Sequence, residues 1–155
     1  MTSSEIIEAL QRCELFSKVD EANIKQISTL CEIENYKAGD TVVTQGEFGT
    51  RIYLIAEGQV ALVRSVNLGG RQGTMTVDLL GKGRGLGWSS LLCEPCSASA
   101  SAVCQKPAKI VSLEGAALRA MLEEKPDLGF IVMDKLAHVL GHRLRAAYGA
   151  IDTLR

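Results

Sequence analysis

The feature that most constrains the fold is a central stretch, residues 31–113, in which short apolar runs alternate with glycine turns. These runs are rich in β-branched residues and alternate apolar with polar positions, a pattern typical of strands. The clearest are residues 31–34, 51–55, 60–63, 75–79 and 110–113. Many short strands joined by glycine turns predict a mainly β fold, a closed antiparallel β-roll of the jelly-roll type.

Helical patterns flank this stretch on both sides. Before it, Thr2 and Glu5 have the spacing of a capping box, and Asp20 is placed to cap a second helix. After it, a short helical pattern ends before a proline, and Asp127 is placed to cap a longer helix. One domain is therefore expected, with an N-terminal helical segment (1–30), the β-roll (31–113) and C-terminal helices (114–155).

The last helix carries an apolar seam with heptad spacing. Its members recur at intervals of four and three: Met133, Ala137, Leu140, Leu144, Ala147 and Ile151, with Leu154 continuing the series. This spacing is typical of a contact between two helices, so it predicts a homodimer formed through these residues. The alternative is an amphipathic helix that lies on its own barrel.

Composition and charge exclude several classes of function. The 155 residues include 46% hydrophobic and 23% charged residues, which suits one domain with a substantial core. Seventeen basic residues against eighteen acidic ones give no basic surface that would seek nucleic acid. No apolar run is long enough to span a membrane, and the N-terminus has no signal pattern, so a cytoplasmic protein is expected.

Several motifs resemble those of the cyclic nucleotide-binding domain family, which includes the catabolite activator-like bacterial regulators. Residues 36–40 and 45–49 resemble its first two turns, and residues 53–60 look like its strand–glycine–strand hairpin. Leu15 and Phe16 resemble the pair at which the barrel region begins. The resemblance covers about residues 14–145 and implies a β-roll with N-terminal helices and a long C-terminal helix.

In that family the ligand binds in a phosphate-binding cassette, which resembles residues 86–101 here. Trp88 stands at the position of the family's glutamate and Ala98 at that of its arginine, whereas Ser99 and Ala100 match the pattern. The resemblance implies cyclic AMP or cyclic GMP as ligand. Because losing one member of a buried charged pair costs about 2–5 kcal/mol, tight binding of these nucleotides in the usual mode is not expected.

Another anionic small ligand is compatible with this segment. Backbone N–H groups at the start of a short helix and nearby serine hydroxyls attract anions, and Trp88 offers an aromatic face. The candidate ligand-binding residues are Gly87, Trp88, Ser89, Ser90, Ser97, Ala98, Ser99 and Ala100, with Arg51, Arg71 and Arg84 as candidate cations. Alternatively, the serines serve ordinary turns and caps, and Trp88 fills the emptied pocket.

Two further constellations are weaker. Cys93 and Cys96 form a C-x-x-C pair that suits a redox switch or half of a metal site, although incidental cysteines are the simpler interpretation. His138 and His142 are four residues apart on the last helix, a spacing that can bind metal. Both lie outside the seam, so we interpret them as solvated surface residues. A haem sensor with a His or Cys axial ligand is a related alternative. No metal site is predicted.

These observations predict a regulatory, sensory domain that binds a small ligand and signals through its C-terminal helix. No nucleophile elbow or P-loop is present, and no histidine lies in the β region, so an enzyme is not expected. The sequence to Arg155 holds no helix-turn-helix domain, so this chain alone is not expected to bind DNA. The alternatives are a redox or haem sensor of the same fold and a ligand-free dimerisation module.

Overall fold

The computed structural model describes residues 2–92 and 96–152. Its helices are α1 (Thr2–Arg12), α2 (Glu21–Ser28), α3 (Ser89–Leu92), α4 (Gly115–Glu124) and α5 (Pro126–Asp152). Its strands are β1 (Cys31–Tyr36), β2 (Thr41–Val43), β3 (Phe48–Gly49), β4 (Arg51–Glu57), β5 (Val60–Leu68), β6 (Arg71–Leu80), β7 (Gly85–Leu86), β8 (Cys96–Ser97), β9 (Ser101–Cys104) and β10 (Ala108–Glu114). The predicted mainly β fold with flanking helices and a long C-terminal helix is confirmed.

The strands pair in a nested order that is typical of a jelly roll. β1 pairs with β10, β2 with β9, β3 with β8, β4 with β7 and β5 with β6, all antiparallel. Two four-stranded sheets result, in the orders β1-β10-β4-β7 and β2-β9-β5-β6, and β3 and β8 form a small third sheet. Of this third sheet, β8 lies within the stretch that resembles the cassette, and β3 belongs to the turn region after β2.

The core has two parts. Between the two large sheets, one cluster includes Ile55, Val60, Leu80 and Ile110. The other is larger, because it joins the outer face of the first sheet to the helices; its members include Leu10, Phe16, Ile24, Leu54, Leu113, Leu118 and Val132. The helices at both ends of the chain are therefore packed on the same side of the β-roll.

The helix starts differ in part from prediction. Asp20 Oδ1 accepts a hydrogen bond from Asn23 N at 2.8 Å, so the predicted cap of α2 is formed. α1 already includes Thr2, which therefore lies inside the helix and not at the predicted cap position. α5 begins at Pro126, and Asp127 lies in its first turn. Proline suits the first helical position because that residue has no N–H partner to lose.

The two halves of α5 face different surroundings. Leu128, Val132 and Leu136 are buried against the barrel and α4. Further along, Leu140, Leu144 and Ile151 are 39%, 53% and 59% exposed. The seam predicted from the sequence is therefore largely exposed over the second half of the helix, and Leu154 lies outside the described residues.

Candidate functional site

A cavity of about 310 Å³ opens between the β-roll, the cassette-like segment and α5. Its size is within the range of pockets that hold small ligands. The apolar and aromatic part of its wall comes from Val42, Val43, Phe48, Tyr53, Leu62, Leu86 and Trp88. Charged side chains reach it from Glu47, Arg51 and Arg143. Such a mixture suits a ligand with a flat or apolar body and a few polar groups.

The first part of the cassette-like segment is a tight turn that leads into α3. Gly87 has φ +84°, and a Cβ there would lie 2.5 Å from Arg51 O, so only glycine fits. Ser90 Oγ donates to Gly87 O at 2.7 Å, and Ser90 N donates to the same oxygen at 3.0 Å. Ser90 therefore makes an ordinary turn contact, as the alternative interpretation of the serines predicted.

The second part of the segment is held by the turn between β2 and β3. Ala98 N donates to Glu47 O, and Gly46 N donates to Ala98 O, both at 2.9 Å. Gln45 N donates to Ser101 Oγ at 2.9 Å, so this hydroxyl serves the turn. Two segments that are distant in sequence are therefore hydrogen-bonded to each other at the wall of the cavity.

Most of the predicted ligand-binding residues line the cavity together: Gly87, Trp88, Ser89, Ser90, Ala98, Ser99 and Ala100. Ser97 does not, since it lies in β8, opposite Phe48, with an exposed side chain. Whether the lining residues bind a ligand stays a prediction.

Trp88 is mainly a packing residue. It is 3% exposed and belongs to the larger core cluster. Its ring lies so close to Gly85 that a Cβ there would be 2.5 Å from Trp88 Cζ2. Its Nε1 is buried without a hydrogen-bond partner. The interpretation in which Trp88 fills space next to the pocket therefore fits the structure better than a freely offered aromatic face.

The three candidate arginines have separate positions. Arg51 lines the cavity, but its guanidinium is engaged by Glu114 at 3.1 Å and by Ser112 Oγ at 3.0 Å. Arg84 does not line it, because it pairs with Glu14 at 3.4 Å and with Asp78 at 3.1 Å. Arg71 begins β6 at the end of the β5–β6 hairpin. Of these three alternatives, Arg51 lines the cavity, whereas Arg71 and Arg84 do not.

The sequence did not predict that α5 forms part of the cavity wall, which it does through Leu140 and Arg143. Arg143 Nη2 donates to Gly85 O at 2.8 Å and lies 3.9 Å from Glu14 Oε1. Burial lowers the pKa of the Arg143 guanidinium from its ordinary value, and the Glu14 carboxylate opposes this shift. A desolvated cation therefore lies at the boundary between the cavity and the last helix.

The short helix α3 is tightly joined to α4. A Cβ at Gly115 would lie 2.4 Å from Ser90 O, so the start of α4 touches the backbone of α3. Arg119 Nη1 donates to Leu91 O at 2.9 Å, which satisfies a carbonyl at the end of α3. A displacement of the cassette-like turn would therefore press directly on α4.

The cysteines and histidines form no second site in the described part of the chain. Burial raises the pKa of Cys13 and of Cys31 to about 12, so both thiols stay protonated at neutral pH. Residues 2–92 and 96–152 contain no group of three residues able to hold a metal ion. His138 is exposed, and its ring contacts Asp134 O. The C-x-x-C pair falls outside the description, since Cys93 and the Cys96 side chain are not included.

Comparison with known families decides the assignment. A family model described as the cyclic nucleotide-binding domain matches residues 33–125, more than half of the chain. The chain belongs to the cyclic nucleotide-binding domain family. The matched residues include the strand β4, the cassette-like segment and α4, so they cover most of the cavity wall other than α5. The resemblance inferred from the sequence is confirmed.

Relatives of this cyclic nucleotide-binding domain include bacterial regulators. The cyclic AMP receptor protein of Thermus thermophilus is 36% identical over 119 residues, which are 77% of this chain and 51% of that protein. The Thermus thermophilus catabolite activator protein structure is 32% identical, with a TM-score of 0.72, over 91% of this chain and 62% of that one. The chain spans about half the length of the curated relatives it matches.

A solved cyclic nucleotide-binding domain from Methylobacillus flagellatus shares the fold over nearly the whole chain. It has a TM-score of 0.81 and 24% identity, and the match covers 99% of this chain and 84% of that one. Within residues 2–92 and 96–152, no helix combines the length and apolar character needed to cross a membrane.

Proposed function

We propose that this domain is a non-enzymatic regulatory module that acts in the cytoplasm and binds a small anionic or nucleotide-like ligand in the cavity. It signals through α5, whose seam joins two copies of the chain. The observation that carries this proposal is the shared wall of the cavity. One side is the cassette-like segment at Gly87–Ser90 and Ala98–Ala100, and the other is Leu140 and Arg143 on α5. A ligand between them touches both.

The contacts between α3, α4 and α5 support a mechanical route for the signal. Gly115 fits against the backbone of α3, and Arg119 binds Leu91 O. At the next junction, a Cβ at Gly129 would lie 2.9 Å from Leu122 O, so the start of α5 touches the backbone of α4. Packed elements of this kind shift as units, which favours a change of α5 position when the ligand binds.

The ligand class follows from the lining. Apolar and aromatic side chains suit a ring, and the desolvated arginine suits an anion. Cyclic AMP and cyclic GMP have both features, but the position of the family's arginine carries the methyl group of Ala98. We therefore propose weak binding of these nucleotides or tighter binding of another anionic molecule of similar size.

The homodimer rests on the exposed seam. Leu140, Leu144 and Ile151 are large apolar residues that the isolated chain leaves in water. Phe130, which is seven residues before Ala137 and 73% exposed, extends the seam towards the start of α5. A contiguous apolar stripe of this length on one helix favours burial against a second copy.

Calorimetric titration with cyclic AMP and cyclic GMP up to millimolar concentration tests the proposed ligand class. We expect saturable heat for at least one of them. The matched variants are Ala98→Phe, which places a ring in the cavity and should abolish this heat, and Ala120→Phe, which adds the same ring on the exposed face of α4 and should leave it unchanged. No heat from the native chain would contradict nucleotide binding and leave another anionic ligand or a ligand-free dimerisation module.

A further inference from the structure

The cavity has two positive side chains in the described part of the chain, and they differ in how well each is neutralised. Arg51 is held by Glu114 at 3.1 Å, by Glu32 at 3.7 Å and by two hydrogen bonds to Ser112 Oγ. Arg143 has one hydrogen bond, from Nη2 to Gly85 O, and its nearest carboxylate oxygen lies 3.9 Å away. Arg143 therefore has the greater capacity to bind an added anion.

The contact between Arg143 and Glu14 is loose on both sides. Arg143 Nε and Glu14 Oε1 are buried, and neither has a hydrogen-bond partner. A buried polar atom without a hydrogen bond is costly, so these two atoms leave the pair of Arg143 and Glu14 only partly satisfied. An anion in the cavity would give the guanidinium the bidentate partner that Glu14 does not provide.

Glu14 has another partner if Arg143 turns away. Its Oε2 lies 3.4 Å from Arg84 Nε, and Arg84 also pairs with Asp78 at 3.1 Å. The backbone of Glu14 is fixed as well, because its N donates to Gly83 O at 3.1 Å. Release of Arg143 therefore does not leave the Glu14 carboxylate without a cation.

We propose that Arg143 holds the anionic group of the ligand and exchanges its loose ion pair with Glu14 for that contact. The proposal rests on the proposed function, in which the cavity binds a small anionic molecule. The ligand is of the phosphate or carboxylate class on an apolar or aromatic body. Since Arg143 stands beside Leu144 and one turn from Leu140, the charge of the ligand acts directly on the half of α5 that carries the seam.

The single tryptophan of the chain makes this testable, because Trp88 lines the cavity and its fluorescence reports occupancy. Cyclic AMP and cyclic GMP are titrated against the native chain and against Arg143→Gln, Arg143→Lys, Glu14→Gln and Arg145→Gln. Arg145 is exposed on the same helix and is the matched control. Circular dichroism of each variant confirms that it is folded.

We expect Arg143→Gln to weaken binding by about 30-fold or more, because the ligand's charge loses its partner. Arg143→Lys keeps the positive charge but not the planar guanidinium that binds an anion through two N–H groups, so its affinity should fall less than that of Arg143→Gln. Glu14→Gln removes the competitor and should tighten binding by roughly two- to fivefold. Arg145→Gln should change it by less than about twofold.

Four other outcomes would overturn the proposed role of Arg143 or the nucleotide binding on which it rests. If the native chain binds a nucleotide and Arg143→Gln binds it with the same affinity, this inference is overturned while the proposed function stands. Weaker binding by Glu14→Gln, or an equal loss in Arg145→Gln, also overturns it, since the arginine would then act through general charge or through the fold. If the fluorescence of Trp88 responds to neither nucleotide at millimolar concentration, the nucleotide binding of the proposed function fails, and the assignment of Arg143 to a nucleotide's anionic group fails with it.

Discussion

Residues 126–139 and 140–152 belong to one helix, yet they make different contacts. In the first part, Leu128, Val132 and Leu136 are buried, and Gly129 touches the backbone of Leu122. In the second part, Leu144, Tyr148 and Ile151 are more than half exposed. The first part is therefore determined by the barrel, and the second has a surface that the barrel does not need. The boundary between them, Leu140 to Arg143, is where the helix lines the cavity.

We infer from this difference that residues 126–139 stabilise the fold, whereas residues 140–152 contact the ligand and the second copy of the chain. A change at a buried position of the first part should alter folding, whereas a change at an exposed apolar position of the second should alter association while the fold is kept. Two pairs of variants test that division, and the larger effect is expected for association.

The double variant Leu140→Asp with Leu144→Asp should convert a homodimer into a folded monomer. Burying carboxylates in an apolar seam is costly, so the association constant should fall by more than about 100-fold, as measured by sedimentation velocity. The control is His138→Asp with His142→Asp, two exposed positions outside the seam that should leave the dimer intact. If the Leu140→Asp, Leu144→Asp variant remained a dimer, the seam would not be the dimer interface.

Two glycines provide a smaller test on the same helix. Alanine at Gly129 would place a Cβ 2.9 Å from Leu122 O, so Gly129→Ala should lower the free energy of unfolding by about 1–3 kcal/mol. At Gly141 a Cβ would meet nothing within 4 Å, so Gly141→Ala should raise it by about 0.5–1 kcal/mol. Urea denaturation measures both, and effects of equal sign would contradict the division of α5.

Much of the fold could be predicted because its cues are local. Alternating β-branched runs predicted β4, β5 and β10, and Asp20 predicted the cap of α2, since each depends on a few adjacent residues. Asp127 was wrong as a cap because proline occupies the first helical position, so α5 starts two residues earlier than a cap at Asp127 requires.

The cavity was harder to predict because it combines distant segments. The cassette-like residues were identified from their motif, but Arg143 was missed because a charged residue beside an apolar seam looks like solvated surface. One pattern could have revealed it: Val132, Leu136 and Arg143 are spaced by four and seven, so they lie on one helix face. Which candidate arginine lines the cavity could not be predicted, because loop paths and ion pairs do not follow from spacing.

The most direct test of the account is hydrogen exchange across α5 with and without cyclic AMP at a concentration that saturates binding. A ligand that contacts Leu140 and Arg143 should change amide protection most over residues 140–152, and the junction with α4 at Gly129 should carry a smaller change into residues 126–136. Saturable binding with unchanged exchange throughout residues 140–152 would contradict the claim that the cavity signals through the last helix.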